Sequence, residues 1–283
     1  MTTLLAPTAA EPRRRNPYLA GLRTGRGLTG LGLVGLVALA GLLAPLLTAT
    51  DPTAQGPLAL AGPSAAHPFG TDDLGRDLFS RVLHGIGTDL LISLTAVPIG
   101  ALLGCSLALL AATSRWADLA VQRVFDLLLA FPGLILALAV TAVLGPGRWT
   151  VVIVIALAEI PGFGRQLRTG LLAQRERDYA LAARVGGASR LRVLLRHVLP
   201  NAVDPLIVQS AIALSLAVFI EGAMSFLGVG IRPPDPSLGS ILSQSMAYLA
   251  THPTFPAAPL IAVTALVLGF TLIAEALNRG IRQ

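Results

Sequence analysis

Of 283 residues, 54% are hydrophobic and only 13% charged, and the mean hydropathy is +0.73, a balance too apolar for a soluble domain of this length. The net charge of +6 and pI near 10.8 would suit a nucleic-acid binder, but the basic residues lack the interleaved aromatics of such a surface, so no nucleic-acid partner is expected. All 21 Lys-or-Arg positions are arginine, which excludes both a P-loop lysine and a Schiff-base lysine.

Residues 1–26, rich in Pro, Ala and Arg, read as an N-terminal tail. Crossing about 30 Å of hydrocarbon takes about 20 helical residues. Three charge-free stretches meet that length, at 27–50, 90–114 and 127–147. The first is too long for a signal-peptide core and lacks an A-x-A site after it, so it reads as a true span, followed by an outer segment at 51–87. Residues 88–283 then form the rest of the transmembrane domain, with a cytoplasmic loop at about 165–200. Further spans are expected at 149–165, interrupted by Glu159, at 205–231, interrupted by Glu221, and at 256–274. The fold class is all-α, a polytopic membrane protein with six transmembrane helices.

Within the spans, Gly100, Gly104, Ala108 and Ala112 form a small-x-x-x-small ladder suited to close helix packing, either within the chain or against a second subunit. Pro98 and Pro132 can kink their helices. The lone Cys105 forms no intrachain disulfide and reads as a small buried apolar residue. Glu159 and Glu221 cost about 2.5–3.5 kcal/mol each near mid-bilayer on insertion scales, so they face a cavity or a partner. A substrate path and helix-to-helix hydrogen bonding both remain open for them.

The arginines set the orientation. With the N-terminus inside, the cytoplasmic segments hold 17 of the 21 and the outer ones hold Arg76, Arg81, Arg148 and Arg232. Both termini are therefore expected to be cytoplasmic.

Eight of these arginines lie between Arg165 and Arg196, flanking a segment that reads as two short helices joined at Gly186 and Gly187. In the second, Leu191, Leu194, Leu195, Val198 and Leu199 make one apolar stripe, expected to face the membrane surface. The first offers Tyr179, Ala180, Ala182 and Ala183, small side chains that let a partner approach closely. A docking knob and an ordinary interfacial helix held by anionic lipid fit equally well. On the outer side, Asp72 or Asp73 is expected to cap a short helix and Asp77 to pair with Arg81, giving either a structural element or a platform for a partner. His67, His84, His197 and His252 are scattered, and neither an H-E-x-x-H nor a G-x-S-x-G occurs, so neither a metal site nor a catalytic residue is expected.

The string DYALAARVGGAS, followed by HVLPN, resembles the coupling-loop signature of membrane subunits of bacterial ATP-binding-cassette importers. HPFGTDDLGRDLFSRVLHG (67–85), FPGLILAL (131–138) and SFLGVGIRPPDPSLGSIL (225–242) are similar to the C-type permease subunit of the dipeptide, oligopeptide and nickel transporters. The resemblance implies the importer permease fold. It implies ATPase-coupling positions at Tyr179, Ala182, Ala183, Arg184, Gly187, His197, Pro200 and Asn201, and an extracytoplasmic motif at Gly70, Thr71, Asp72, Gly75, Arg76 and Asp77. Leu181 stands where the family's motif has a glutamate, and the last helix lacks the usual acidic ending.

Two functions follow as expectations. The first is the permease subunit of an ATP-driven importer for di- or oligopeptides or a related small solute, with nickel as the other cargo, in a prokaryotic cytoplasmic membrane. Its expected partners are a second permease subunit forming a heterodimer, two ATPase subunits that bind the ATP and Mg, a solute-binding protein and the lipid bilayer. This chain itself is expected to have no ATP site, cofactor or enzyme activity. The second is a proton-coupled secondary transporter with Glu159, Glu221 or Asp126 as relay, which leaves the coupling loop unexplained.

Overall fold

The computed structural model describes residues 17–282. The part of the expected tail before residue 17 lies outside them, and residues from 17 onward are already helical. Helix α1 (Pro17–Leu22) lies on the last helix, α13 (Thr254–Arg282), where Gly21 meets the Ala276 backbone. The Tyr18 hydroxyl is bonded to the carboxylate of Asp204, and burial together with that neighbour pushes its pKa up to about 12.

Among the described residues, five helices are long and apolar enough to cross a bilayer: α2 (Gly25–Leu42), α4 (Leu78–Ala111), α7 (Arg148–Arg175), α11 (Asp204–Phe226) and α13. A sixth is reached only when a bent pair of helices is counted as one span. Residues expected to form one span at 127–147 instead belong to α5 (Arg115–Ala130) and α6 (Gly133–Leu144), bent by 92° at Phe131–Pro132. Proline lacks the N–H that would continue α5, and it restricts the residue before it to extended backbone, so Phe131 at ψ 125° ends the helix. A short α3 (Ala44–Leu47) closes α2.

Helix α4 starts twelve residues before the apolar stretch at 90–114, because Asp77 caps it by accepting the Ser80 N–H at 2.9 Å. Ser114 caps α5 in the same way.

In a bilayer, helices associate through close packing and hydrogen bonds more than through the hydrophobic effect. The glycine ladder supplies that packing within the chain: a β-carbon on Gly100 would stand 2.8 Å from the Ala156 carbonyl, and one on Gly104 2.5 Å from the Ile160 carbonyl, both on α7. Helix α2 meets α13 the same way at Gly30. Arg168 holds Asp118 with two bonds of 2.6 and 2.7 Å, and Arg165 holds Asp126 at 2.7 Å, tying α5 to α7.

Candidate functional site

The chain between α7 and α11 forms one end of the bundle. Helix α8 (Asp178–Val185) is seated by Ala180, wholly buried against Leu171, Val193 and Val198. Its exit is a Schellman turn: Ala188 N–H donates to the Ala183 carbonyl and Gly187 N–H to that of Arg184, both at 3.0 Å. Gly187 sits at φ +82°, a left-handed conformation that glycine adopts without a steric penalty. The Arg184 guanidinium reaches back to the Arg175 carbonyl at 3.4 Å, and the Tyr179 hydroxyl donates to Gln174 Oε1 at 2.8 Å.

These anchors leave one face of α8 turned away from the bundle. Ala182 and Leu181 are exposed and Val185 is 91% exposed, whereas Ala183 is half-buried inward.

After α9 (Arg190–Val193) the helix widens into a π turn over Leu194–Val198, closed by the Leu199 N–H on the Leu194 carbonyl. Pro200 accounts for the widening, because a proline ring in a regular α-turn clashes with the carbonyl four residues back, here that of Arg196. Asn201 Nδ2 then donates to the His197 carbonyl at 2.8 Å. His197, Pro200 and Asn201 thus act together on the backbone, heading the short α10 (Leu199–Ala202), with α11 following at Asp204. The widening also splits the expected apolar stripe: Leu194 and Val198 are buried, while Leu191 and Leu195 are exposed.

The motif at Gly70–Asp77 sits at the opposite end and is a buried knot. Gly70 and Gly75 take φ of +83° and +71°. Asp72 accepts the backbone N–H groups of Leu74 and Arg76 at 3.0 and 2.9 Å and the Arg76 side chain at 2.6 Å, with Arg81 at 3.4 Å. Thr71 bonds Leu58 and Ala61. Arg76 and Arg81 both donate to Gln244 Oε1, at 3.1 and 3.3 Å, on α12 (Leu238–Ser245).

The expected Asp77–Arg81 ion pair does not form. Arg81 is drawn to Asp72 and Gln244, while Asp77 caps α4 and meets His67 Nδ1 at 3.0 Å. Asp77, not Asp72 or Asp73, is the helix cap. With Asp72, Arg76, Asp77 and Arg81 all buried, the motif's charges face one another and not solvent.

Glu159 and Glu221 do not share one place. Glu159, 2% exposed, lies where Gly100 of α4 crosses α7, with Gln209 of α11 near the adjacent Gly162. Glu221 is wholly buried and accepts the Ser225 hydroxyl at 2.7 Å. Asp89 and Gln244 are not singled out by the sequence. Their signal is a polar side chain in register with buried neighbours, Asp89 with Ile86 and Ser93, and Gln244 with Ser240 and Ile241.

Two surface features complete the site. An apolar groove of about 360 Å³ opens at the α5–α6 bend, among Phe131, Leu134, Pro161, Phe219 and Met224. Near α8, a polar cavity of about 310 Å³ is lined by Arg115, Arg168, Arg175 and Arg190.

Long apolar helices with a structured connection between two of them define a class, the polytopic helical membrane proteins. The chain belongs to the family of binding-protein-dependent transport system inner membrane components, whose model matches residues 96–283. It is an integral inner-membrane protein of that family. It is 36% identical over 253 residues to the dipeptide transport system permease protein DppC of Alkalihalophilus pseudofirmus, covering 89% of this chain and 83% of that protein. To the glutathione transport system permease protein GsiD of Pectobacterium atrosepticum it is 37% identical over 218 residues, covering 77% and 72%. Its fold matches a chain of the methionine ABC transporter MetNI in inward-facing conformations, with a TM-score of 0.57 at 20% identity over 71% of this chain and 95% of that one.

Proposed function

We propose that this chain is the membrane subunit of an ATP-driven importer of di- or oligopeptides or a closely related solute. The relatives named for dipeptide, di/tripeptide and glutathione transport support a peptide-like cargo over nickel. The observation that carries the coupling reading is α8, rigidly anchored on its inner face and unpartnered on its outer one. Small residues there let the groove of an ATPase close on the helix backbone.

On this reading Tyr179, Ala182, Arg184 and Gly187 present or shape the contact, Ala183 seats the helix, and His197, Pro200 and Asn201 set the stiff exit toward α11. ATP and its Mg belong to two partner ATPases, and a second permease subunit covers the groove at the α5–α6 bend. A solute-binding protein would meet the α12 end. The α8 end is cytoplasmic, with α1 and the end of α13 beside it, which follows from its arginines by the positive-inside rule. Glu159 then stands near the path between α4, α7 and α11, and Glu221 serves packing. The buried motif around Asp72 supports the outer surface without forming it. A proton relay through Asp126 is disfavoured by its ion pair with Arg165.

The test is reconstitution in liposomes. The chain alone is expected to give no uptake, and uptake of labelled peptide is expected only with the partner subunits and ATP. ATP-independent uptake by the single chain overturns this reading in favour of a secondary transporter.

A further inference from the structure

Two carboxyl groups meet in the interior where the described cations do not reach them. Asp89 on α4 and Glu221 on α11 are both wholly buried. Their side chains stand within hydrogen-bonding range of each other, beside the Leu238 N–H and the Ser237 hydroxyl at the start of α12. The helices are pressed together at this point: a β-carbon on Gly85 would lie 3.2 Å from Leu238 N, and Gly239 packs on the Gly222 backbone. Yet no donor stands in bonding geometry to either oxygen of Asp89 or to Glu221 Oε2. Two carboxylates offer only acceptors, so no bond can join them until one carries a proton.

The surrounding charges offer no compensation. On α4, Arg81 is committed to Asp72 and Gln244, and the His84 ring Nδ1 lies 2.9 Å from the Ser80 carbonyl. Helix α12 has no charged residue, and α11 has only Asp204 at its far end. Arg26 of α2 pairs with Glu275 of α13, and Arg279 follows on that helix at the opposite end of the bundle. On α7, Arg148 is exposed and Glu159 adds a further acid. In the loop before α12, Arg232 and Asp235 are exposed. Like charges held together in an apolar interior cannot both stay ionised.

We infer that Asp89 and Glu221 bind one proton between them, forming a carboxyl–carboxylate hydrogen bond that locks α4 to α11 and seats the N-terminus of α12. Ser225, which also receives the Ile231 N–H at 2.9 Å, donates to Glu221 Oε1, and the Ser237–Leu238 turn stands beside the pair. The lock is independent of the cargo and of the ATPase contact.

Infrared spectroscopy of the purified full-length protein at neutral pH tests it. The wild type is expected to show a protonated-carboxyl C=O absorption that is lost in Asp89→Asn and again in Glu221→Gln. Both variants should fold, because the amide N–H takes the place of the shared proton. Glu159 is the same in all three proteins, so any absorption from it cancels in the differences. If either amide misfolds, Asp89→Ser supplies a hydroxyl donor in a smaller volume and is expected to lose the same absorption. An absorption unchanged in the folded variants overturns the shared proton. So does a wild-type fold that requires added sodium, potassium or calcium, the outcome expected if a metal cation sits between the two groups.

Discussion

The two motif-bearing ends of this molecule are built in opposite ways. At Gly70–Asp77 the side chains of Asp72, Arg76 and Asp77 are buried and held by one another, by backbone, by His67 and by Gln244 of α12, and Asp73 alone is partly exposed. At α8 the buried anchor is a single alanine with its apolar neighbours, and the polar groups serve the helix ends, while the outer face has no partner. Both stretches are recognisable as motifs for different physical reasons. The first satisfies itself, and its residues answer to stability. The second leaves Leu181 and Val185 exposed, apolar side chains that its own fold does not cover.

Four substitutions sharpen that contrast. The largest effect is expected for Asp72→Ala, which leaves Arg76 and Arg81 buried without their shared carboxylate. Breaking such a buried pair typically costs about 3–5 kcal/mol, so the yield of folded protein after solubilisation, followed by thermal unfolding, should collapse. Gly187→Val forces a β-branched residue into a left-handed conformation at a cost of about 1–2 kcal/mol. Limited proteolysis should then show the α8–α9 turn opening while membrane insertion stays intact.

Ala182→Arg should leave stability within about 0.5 kcal/mol, as surface changes do. If a partner packs there, overfilling costs about 1–3 kcal/mol, or about a 5- to 150-fold loss of ATPase co-purification. Unchanged association would reduce α8 to an interfacial helix. Leu191→Ile, on an exposed position, is the control and should change neither quantity. A smaller effect concerns α1. Because folding raises the Tyr18 pKa from 10.0 to about 12, its contribution is complete below about pH 10 and is lost as pH rises toward 12. Hydrogen exchange of α1 amides across that window would show the release, and Tyr18→Phe should abolish the pH dependence.

The bundle was legible because span length and charge-free composition are local properties, and the glycine at 187 was legible because a chain reversal demands one. What escaped depends on distance. Arg81 read as the partner of Asp77 from its i, i+4 spacing, but Asp72, folded back by the turn before α4, and Gln244, from distant α12, compete better. Asp89 lay just before an apolar run and looked like its boundary; only folding brings Glu221 opposite it, 132 positions along the chain. Pro132 was read as a kink where the chain turns through 92°, because proline tells where a helix is interrupted but not how far the next one swings.

That elbow bears on what kind of object the chain is. A straight helix carries its own insulation, since every peptide group is spent inside it. At Phe131–Pro132 the insulation is cut: α6 begins with no side-chain cap, and its first bonds run from Ile135 and Leu136 back to the Pro132 carbonyl. Lipid tails can neither donate nor accept a hydrogen bond, so bare peptide groups at that depth belong against water or another protein. The bend is an unsealed seam, a stretch of open peptide groups that a straight helix would have kept to itself.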